Sequence, residues 1–397
     1  MLLRTGKSDW KVRAAGVSCG QHRVFMDWRE SFLRRFGPGV LGGITLSQWI
    51  KLLRRYGLNI DGSQLPRVCA ITAQSLKNSL LQIVERYRYD SQIGDMVVQP
   101  PLFVLGHWRS GTTHLHELLA QDPRFASPNL FQVSFPHTFL CSEATDAKIV
   151  AFFLPRHRPM DNMEWGSGSP QEDEFALLAA TFMSPCMAWV FPRQRDQFKR
   201  YLTFQEVEPG EVAQWGAAFV RFLKKLQWRY QRPMILKSPP HTARVRLLLE
   251  LFPKAKFVHI HRNPYRVFQS SQHTLRIMLD WQALQRSCPE VVDDWIIAQY
   301  KDMYESFLKE RPSIPAGSYY EVNFEELNRD PLEEVRKLYR GLDLPDFAEV
   351  EPRVRSYIGS LAGYKKNSFE ELSSELKVRL AHEWRACFEE WGYPTGL

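Results

Sequence analysis

The run Pro101-Leu102-Phe103-Val104-Leu105-Gly106 leads through His107-Trp108-Arg109-Ser110-Gly111 into Thr112-Thr113-His114-Leu115-His116-Glu117-Leu118-Leu119. A short apolar run closed by glycine, followed by apolar residues at helical spacing, reads as strand, glycine loop and helix. The alternation returns in PMILK, HTARVRLLLELF and AKFVHIH, and again in SYYEVNF followed by DPLEEVRKLYRGL. Strands that alternate with helices indicate a parallel sheet with crossover helices. The expected fold class is therefore α/β, a three-layer parallel sheet with a P-loop-like nucleotide site across the carboxyl ends of its strands.

Before this pattern begins, residues 1–99 read as a helical N-terminal extension packed on a domain spanning 100–397. In SLKNSLLQIVERY the apolar positions recur at helical spacing. LSQWIKLLRRYG mixes Leu, Ile and Trp with basic residues; it reads as a surface helix docked on the core, or alternatively as an interfacial helix on anionic lipid. The apolar stretch Phe175 to Pro192 has about the minimum length of a membrane span. Ser184 and Pro185 interrupt it and the acidic PQEDE segment precedes it, so a buried helix followed by a strand is expected. FEELSSELKVRLAHEWRACFEEW reads as one long amphipathic helix.

Against 44 Asp and Glu stand 52 Lys and Arg, a formal net charge of +8, which suits a polyanionic partner. Nucleic acid, an anionic membrane surface and a phosphorylated cofactor all fit, but no zinc-finger, homeodomain or RRM-like signature accompanies the charge, so nucleic acid is not expected. The six cysteines, Cys19, Cys69, Cys141, Cys186, Cys288 and Cys387, form no C-x-x-C pair and read as thiols of a reducing compartment. Basic residues near the start are followed by no apolar h-region. A cytoplasmic protein is expected, with peripheral contact at the inner membrane surface as an addition to test.

Gly106 to Thr113 sits where a phosphate-binding loop belongs, because backbone N–H groups and the positive end of a helix dipole converge there. A nucleotide triphosphatase loop would carry lysine after the second glycine; here Thr112 holds that place and the cation is Arg109. A guanidinium can grip two oxygens through a planar fork. Further on, Arg262 follows the third apolar run, Pro264 suits a first helical position, and Ser270 stands one or two helical turns later.

Arg109 with Ser110-Gly111-Thr112-Thr113 resembles the 5′-phosphosulfate loop of sulfotransferases that use 3′-phosphoadenylyl sulfate (PAPS). Arg262 and Ser270 resemble the same family's 3′-phosphate motif. The likeness runs from residue 100 to 390 and is nearest to the bacterial-type members with a P-x-E-x-E segment between the motifs, leaving the first hundred residues outside. It implies sulfuryl transfer from PAPS to an acceptor hydroxyl without a metal. It also implies Arg109, Ser110, Gly111, Thr112, Thr113, Arg262 and Ser270 as PAPS ligands. VNFEEL suggests Phe324 near the adenine, and YKKN suggests Lys365 or Lys366 at the 3′-phosphate. Lys237, ending PMILK, matches the family lysine that contacts the bridging oxygen.

The general base does not carry over. The histidine of the familiar cytosolic enzymes would fall at Pro239, and the glutamate of tyrosylprotein sulfotransferases has no counterpart in FASPNLFQV. Glu172 is the first candidate, Glu174 the second and His241 the third. Ser169-Pro170-Gln171-Glu172 also fits a capping box. His107, His114 and His116 are read as supporting the loop or lining a pocket, and no carboxylate pattern among them suggests a metal. About 130–230, with the N-terminal helices, should build the acceptor site. Phe131, Phe135, Phe139, Trp165, Phe182, Trp189 and Phe191 predict an aromatic-lined pocket for a lipid, a carbohydrate or another small molecule. Two rival readings are a nucleotide kinase on the same scaffold and a non-enzymatic, membrane-associated basic protein.

Overall fold

Four runs of apolar, largely β-branched or aromatic residues become strands: β1 (Leu102–Leu105), β2 (Ile235–Lys237), β3 (Lys256–His261) and β4 (Tyr319–Asn323). They form one parallel sheet in the order β2-β1-β3-β4, with Val104 opposite both Lys237 and Val258. The computed structural model describes residues 28–396 except 162, 164–165, 287–291 and 365–366. Cys19, Cys288 and Trp165 lie outside the described residues, as do Lys365 and Lys366.

Alternation along the strands sends Phe103, Leu105, Leu236 and Phe257 into one hydrophobic cluster and Leu102, Val104, Ile235, Val258 and Ile260 into another. Both faces of the sheet are therefore covered, giving three layers. Because β2 and β3 flank β1 on opposite sides, the winding reverses at β1. The carboxyl end of β1 is thus the crevice where open α/β sheets bind ligands.

Around the sheet lie α1 (Trp28–Phe36), α2 (Leu46–Tyr56) and α3 (Leu65–Gly94), then α4 (Thr112–Leu119) directly after β1. The long insertion before β2 holds α5 (Leu130–Ser134), α6 (Phe139–Phe153), α7 (Glu174–Thr181), α8 (Met187–Val190), α9 (Arg195–Lys199) and α10 (Pro209–Tyr230). After β2 and β3 come α11 (Val245–Leu251), α12 (Pro264–Gln282) and α13 (Val292–Glu310). The chain closes with α14 (Phe324–Arg329), α15 (Pro331–Gly341), α16 (Glu351–Ser360), α17 (Ser374–Glu383) and α18 (Arg385–Glu390).

The capping box of Thr45 and Gln48 starts α2, which buries Trp49, Leu52 and Tyr56 and leaves Lys51, Arg54 and Arg55 outside. Its apolar face is thus spent on the core, in keeping with the reading of α2 as a surface helix docked there. The helical spacing in α3 is real, but between Ser75 and Tyr87 its orientation is the reverse of the usual one, while Ile71 and Ile93 toward its ends are buried. Ser75, Asn78 and Glu85 face inward, while Leu76, Leu80, Ile83 and Tyr87 are exposed. The inward polar groups are satisfied: Asn78 donates to the carbonyls of Gly42 and Ile44, and Glu85 accepts from the Leu140 amide.

Two predicted elements are corrected. The Phe175–Pro192 stretch forms no strand: α7 stops at Phe182, held left-handed at φ 63°, and Ser184-Pro185 lead into the single turn of α8. Pro185 has no N–H to give a sheet ladder. The C-terminal helix is two helices that break at Trp384, whose indole donates to the Ile297 carbonyl and stacks on Tyr300 at 3.9 Å. Burying that ring outweighs helix continuity. No helix among the described residues is long and apolar enough to cross a membrane.

Candidate active site

The loop joining β1 to α4 needs glycine at both ends. Gly106 has φ +139°, and a Cβ there would meet the Ile260 carbonyl oxygen at 2.5 Å. Gly111 has φ +105°, and a Cβ there would strike the Phe324 ring at 2.3 Å. Between them Arg109 adopts φ 71°, a strained conformation for a residue with a side chain. The loop is pinned from several sides. The Ser110 hydroxyl and amide both donate to the His107 carbonyl, the Gly106 amide donates to Thr242 Oγ1 at 2.7 Å, and the His107 amide donates to the Tyr304 hydroxyl. His107 Nδ1 donates to the Trp108 carbonyl at 2.8 Å, and burial holds this imidazole down at about 4. His107 is therefore a neutral prop of the loop. His116 is likewise buried beside Ser127, its pKa lowered to about 3 by burial and then by Lys237.

The second motif converges on the first. Asn263 caps α12 by accepting from the Tyr265 and Arg266 amides, and Pro264 occupies its first turn. Arg109 Nε donates to Ser270 Oγ at 2.8 Å, and Arg262 donates to the Arg109 carbonyl at 3.2 Å. The Arg262 guanidinium lies 4.2 Å from the centroid of the Phe324 ring, and its Nε is buried without a hydrogen-bond partner. Burial pulls its pKa to about 10, with Glu325 opposing and Arg109 and Arg266 adding to the fall. Phe324 is thus a wedge between Gly111 and Arg262. The structure brings Arg109, Ser110, Gly111, Thr112, Thr113, Arg262, Ser270 and Phe324 into one patch at the carboxyl end of β1.

On the other side of the loop, three consecutive acidic residues each take a different basic partner from one segment. Glu172 accepts from Lys237 at 2.8 Å, Asp173 pairs with His241 at 2.5 Å, and Glu174 accepts both arms of Arg244 at 2.7 and 3.0 Å. Ser238 bridges the two strands of this zipper, donating to Asp173 and accepting from the Glu174 amide. Burial raises the Asp173 carboxyl, but the His241 ring and the Ser238 hydroxyl outweigh it and hold the group below its ordinary value.

This arrangement separates the candidate bases. Glu174 is fully buried and locked on Arg244, which also donates to the Tyr201 and Leu202 carbonyls. It does not line the cavity that Glu172 lines, and its pairing with Arg244 suits a structural anchor. His241 is equally buried, tied to Asp173 among Phe103, Trp215 and Phe219. The capping-box reading of Glu172 also fails: α7 begins two residues later, and Ser169 accepts instead from the Gly166 amide. Glu172 alone of the three lines the cavity, next to Lys237, whose Nζ lies 3.5 Å from Thr113 Oγ1.

That cavity has a volume of about 480 Å³. Its polar end is made by His107, Arg109, Thr112, Thr113 and Glu172, and the remainder is chiefly apolar. Of the predicted aromatics Phe135 and Trp189 line it, whereas Phe131, Phe139 and Phe191 are closed in the core and Phe182 borders a different hollow. The other walls come from Phe32 and Phe36 of α1 and from Met278 and Trp281 of α12. The sequence reading expected the N-terminal helices here but named none of these residues, and it did not expect α12, because no motif marks them. It also missed Asp161, which accepts from Arg109 NH1 at 3.0 Å and is braced by Tyr364 donating to its carbonyl. Among the described residues no cluster of His, Cys, Asp and Glu could hold a metal ion.

Residues 100–349 match a family model described as "Sulfotransferase family". The chain is 35% identical over 366 residues to the omega-hydroxy-beta-dihydromenaquinone-9 sulfotransferase Stf3 of Mycobacterium bovis, covering 92% of this chain and 94% of that protein; the protein of that name from Mycobacterium tuberculosis matches equally. A span of that length takes in most of the N-terminal helices, so the relationship reaches beyond the 100–390 region that the motifs marked. Among solved structures, sulfotransferase STF9 from Mycobacterium avium is similar with a TM-score of 0.66, 20% identity and coverage of 87% of this chain and 96% of that one. Sulfotransferase STF1 from Mycobacterium tuberculosis gives 0.61, 18%, 87% and 94%. At these identities the two structures establish the fold.

Proposed function

This chain belongs to the sulfotransferase family, and from that premise we propose that it takes its sulfuryl group from PAPS and passes it to a hydroxyl at the end of a long apolar acceptor. The observation that carries the donor half is the patch of Arg109, Arg262 and Ser270, with a buried guanidinium Nε lacking a partner. A buried cation with an unmet donor fits an anion. In this reading Arg262 and Ser270 hold the 3′-phosphate, Phe324 supports Arg262 near the adenine, and Ser110 to Thr113 with the first amides of α4 hold the 5′-phosphosulfate. Lys365 and Lys366 remain proposed ligands of the 3′-phosphate. Asp161 would give up Arg109 to the incoming phosphosulfate.

PAPS supplies the sulfuryl group and leaves as adenosine 3′,5′-bisphosphate. Glu172, facing the cavity, accepts the acceptor's hydroxyl proton as the new O–S bond forms and the bridging S–O bond breaks. Lys237 and Arg109 offset the negative charge on the departing phosphate oxygen. The Lys237–Glu172 contact keeps both groups at the meeting point of the loop and the cavity. Charge is supplied by side chains at each point where it develops.

The acceptor half rests on the apolar cavity, whose size suits a drug-sized part of a ligand. The Mycobacterium bovis relative acts, by its name, on an omega-hydroxylated menaquinone derivative. The same arrangement here would admit the hydroxylated tip of a lipid-like chain and bring it to Glu172.

Isothermal titration calorimetry with adenosine 3′,5′-bisphosphate tests the donor site. Wild type is expected to bind in the micromolar range, and Arg262→Ala to lose about 1.5–3 kcal/mol through missing charge-assisted hydrogen bonds. A folded wild type that binds none would refute the PAPS reading.

A further inference from the structure

The far end of the cavity reaches the molecular surface between α1 and the end of α6. Phe32, Phe36 and Ile149 line the cavity and yet are 38%, 39% and 57% exposed. Trp28 and Phe152 stand just outside it, 54% and 57% exposed, with ring centroids 6.0 Å apart. Phe153 stacks on Phe32 at 5.1 Å, tying the two helices together. The rim is therefore a cluster of large apolar side chains facing water, an arrangement that marks an interaction surface.

Its chemistry narrows the partner. Exposed cations border the apolar rim: Arg35 on α1, Lys148 one helical turn before Phe152, and Arg156 just beyond α6. Trp and Phe at the level of lipid headgroups, with arginine and lysine beside them, suit the boundary of an anionic bilayer. A cavity of this volume holds only part of a long-chain acceptor, so the remainder must leave through this rim. In water that chain would be exposed; in a bilayer it stays in hydrocarbon.

We propose that the rim formed by Trp28, Phe32, Phe36, Ile149 and Phe152 docks on an anionic phospholipid bilayer and takes the hydroxylated tip of its acceptor from the membrane. The inference rests on the lipid-acceptor reading above. It replaces α2 with α1 and α6 as the membrane-facing elements.

The test is co-sedimentation of the full chain with vesicles of phosphatidylcholine alone and of phosphatidylcholine with phosphatidylglycerol. Wild type is expected to partition onto the anionic vesicles, and Trp28→Ser/Phe152→Ser to bind at least about tenfold more weakly. Arg35→Glu/Lys148→Glu should lose the preference for phosphatidylglycerol. Calorimetry with adenosine 3′,5′-bisphosphate checks that each variant is folded. Vesicle binding without nucleotide binding would leave the docking surface standing and sink the PAPS reading. Three outcomes overturn the proposal: wild type stays in the supernatant, the serine variant binds like wild type, or the rim proves to join two copies, seen as a dimer that the serine variant dissociates.

Discussion

The patch proposed to hold the donor and the cavity proposed to take the acceptor meet at Glu172, which Lys237 contacts, yet they are built on opposite plans. The donor patch is polar and comes from two short contiguous stretches at strand ends, Gly106–Thr113 and Arg262–Ser270, braced by Phe324. The cavity is mostly apolar and draws its walls from α1, α6, α7 and α12, which are far apart in the chain. Phosphate recognition demands backbone amides and guanidinium groups at fixed positions, which a local motif can supply. An apolar wall needs only bulk and shape, and many residues from many elements can provide it.

That contrast can be broken first at the junction. Glu172→Gln should lower kcat by about 10²–10⁴-fold, the usual worth of a general base, while adenosine 3′,5′-bisphosphate still binds in calorimetry. A variant with unchanged kcat would move the base elsewhere. Two residues away the same chemistry should have a different effect. Glu174→Ala leaves the Arg244 charge buried and unpaired, and urea denaturation should register a loss of about 3–5 kcal/mol. If Glu174→Ala instead left stability intact and removed activity, the roles assigned to the two carboxylates would be reversed.

On the cavity side, Met278→Ala should raise KM for a long-chain acceptor by the equivalent of about 1–3 kcal/mol. Nucleotide affinity should stay constant, because Met278 lines the cavity and is none of the residues of the Arg109–Arg262–Ser270 patch. Steady-state kinetics with acceptors of increasing chain length would show whether the effect grows with length.

A separate effect concerns pH and sums over several buried histidines. Burial lowers His107, His137 and His261 to about 4, and burial followed by Lys237 lowers His116 to about 3. Between the ordinary value of 6.5 and these folded values, the unfolded chain binds protons that the folded chain refuses. Stability is thus full above that range and declines as pH falls, by at most about 1.4 kcal/mol per pH unit for each histidine. Denaturant midpoints measured at about pH 7 and about pH 5 should separate accordingly; identical midpoints would mean that the histidines are accessible to protons when folded.

Legibility followed the same division. All four strands, the Gly106 and Gly111 turns and the Asn263-Pro264 helix start could be read locally, because each depends on its own few residues. The helical period of α3 was equally plain. Its outward apolar face was not, because periodicity reports that a face exists and says nothing about what covers it. The acidic triplet was visible in PQEDE, but its pairing with Lys237, His241 and Arg244 depends on packing α7 against the segment after β2.

By itself the sequence determined the parallel sheet, the position of the glycine loop after β1 and the family, because short-range patterns and backbone constraints specify them. Only the tertiary structure decided that Glu172 faces the cavity while Glu174 serves as an anchor. It also decided which residues of α1 and α12 line that cavity. Those outcomes depend on which distant side chains compete for the same space and charge, and burial settles that competition after the chain has folded.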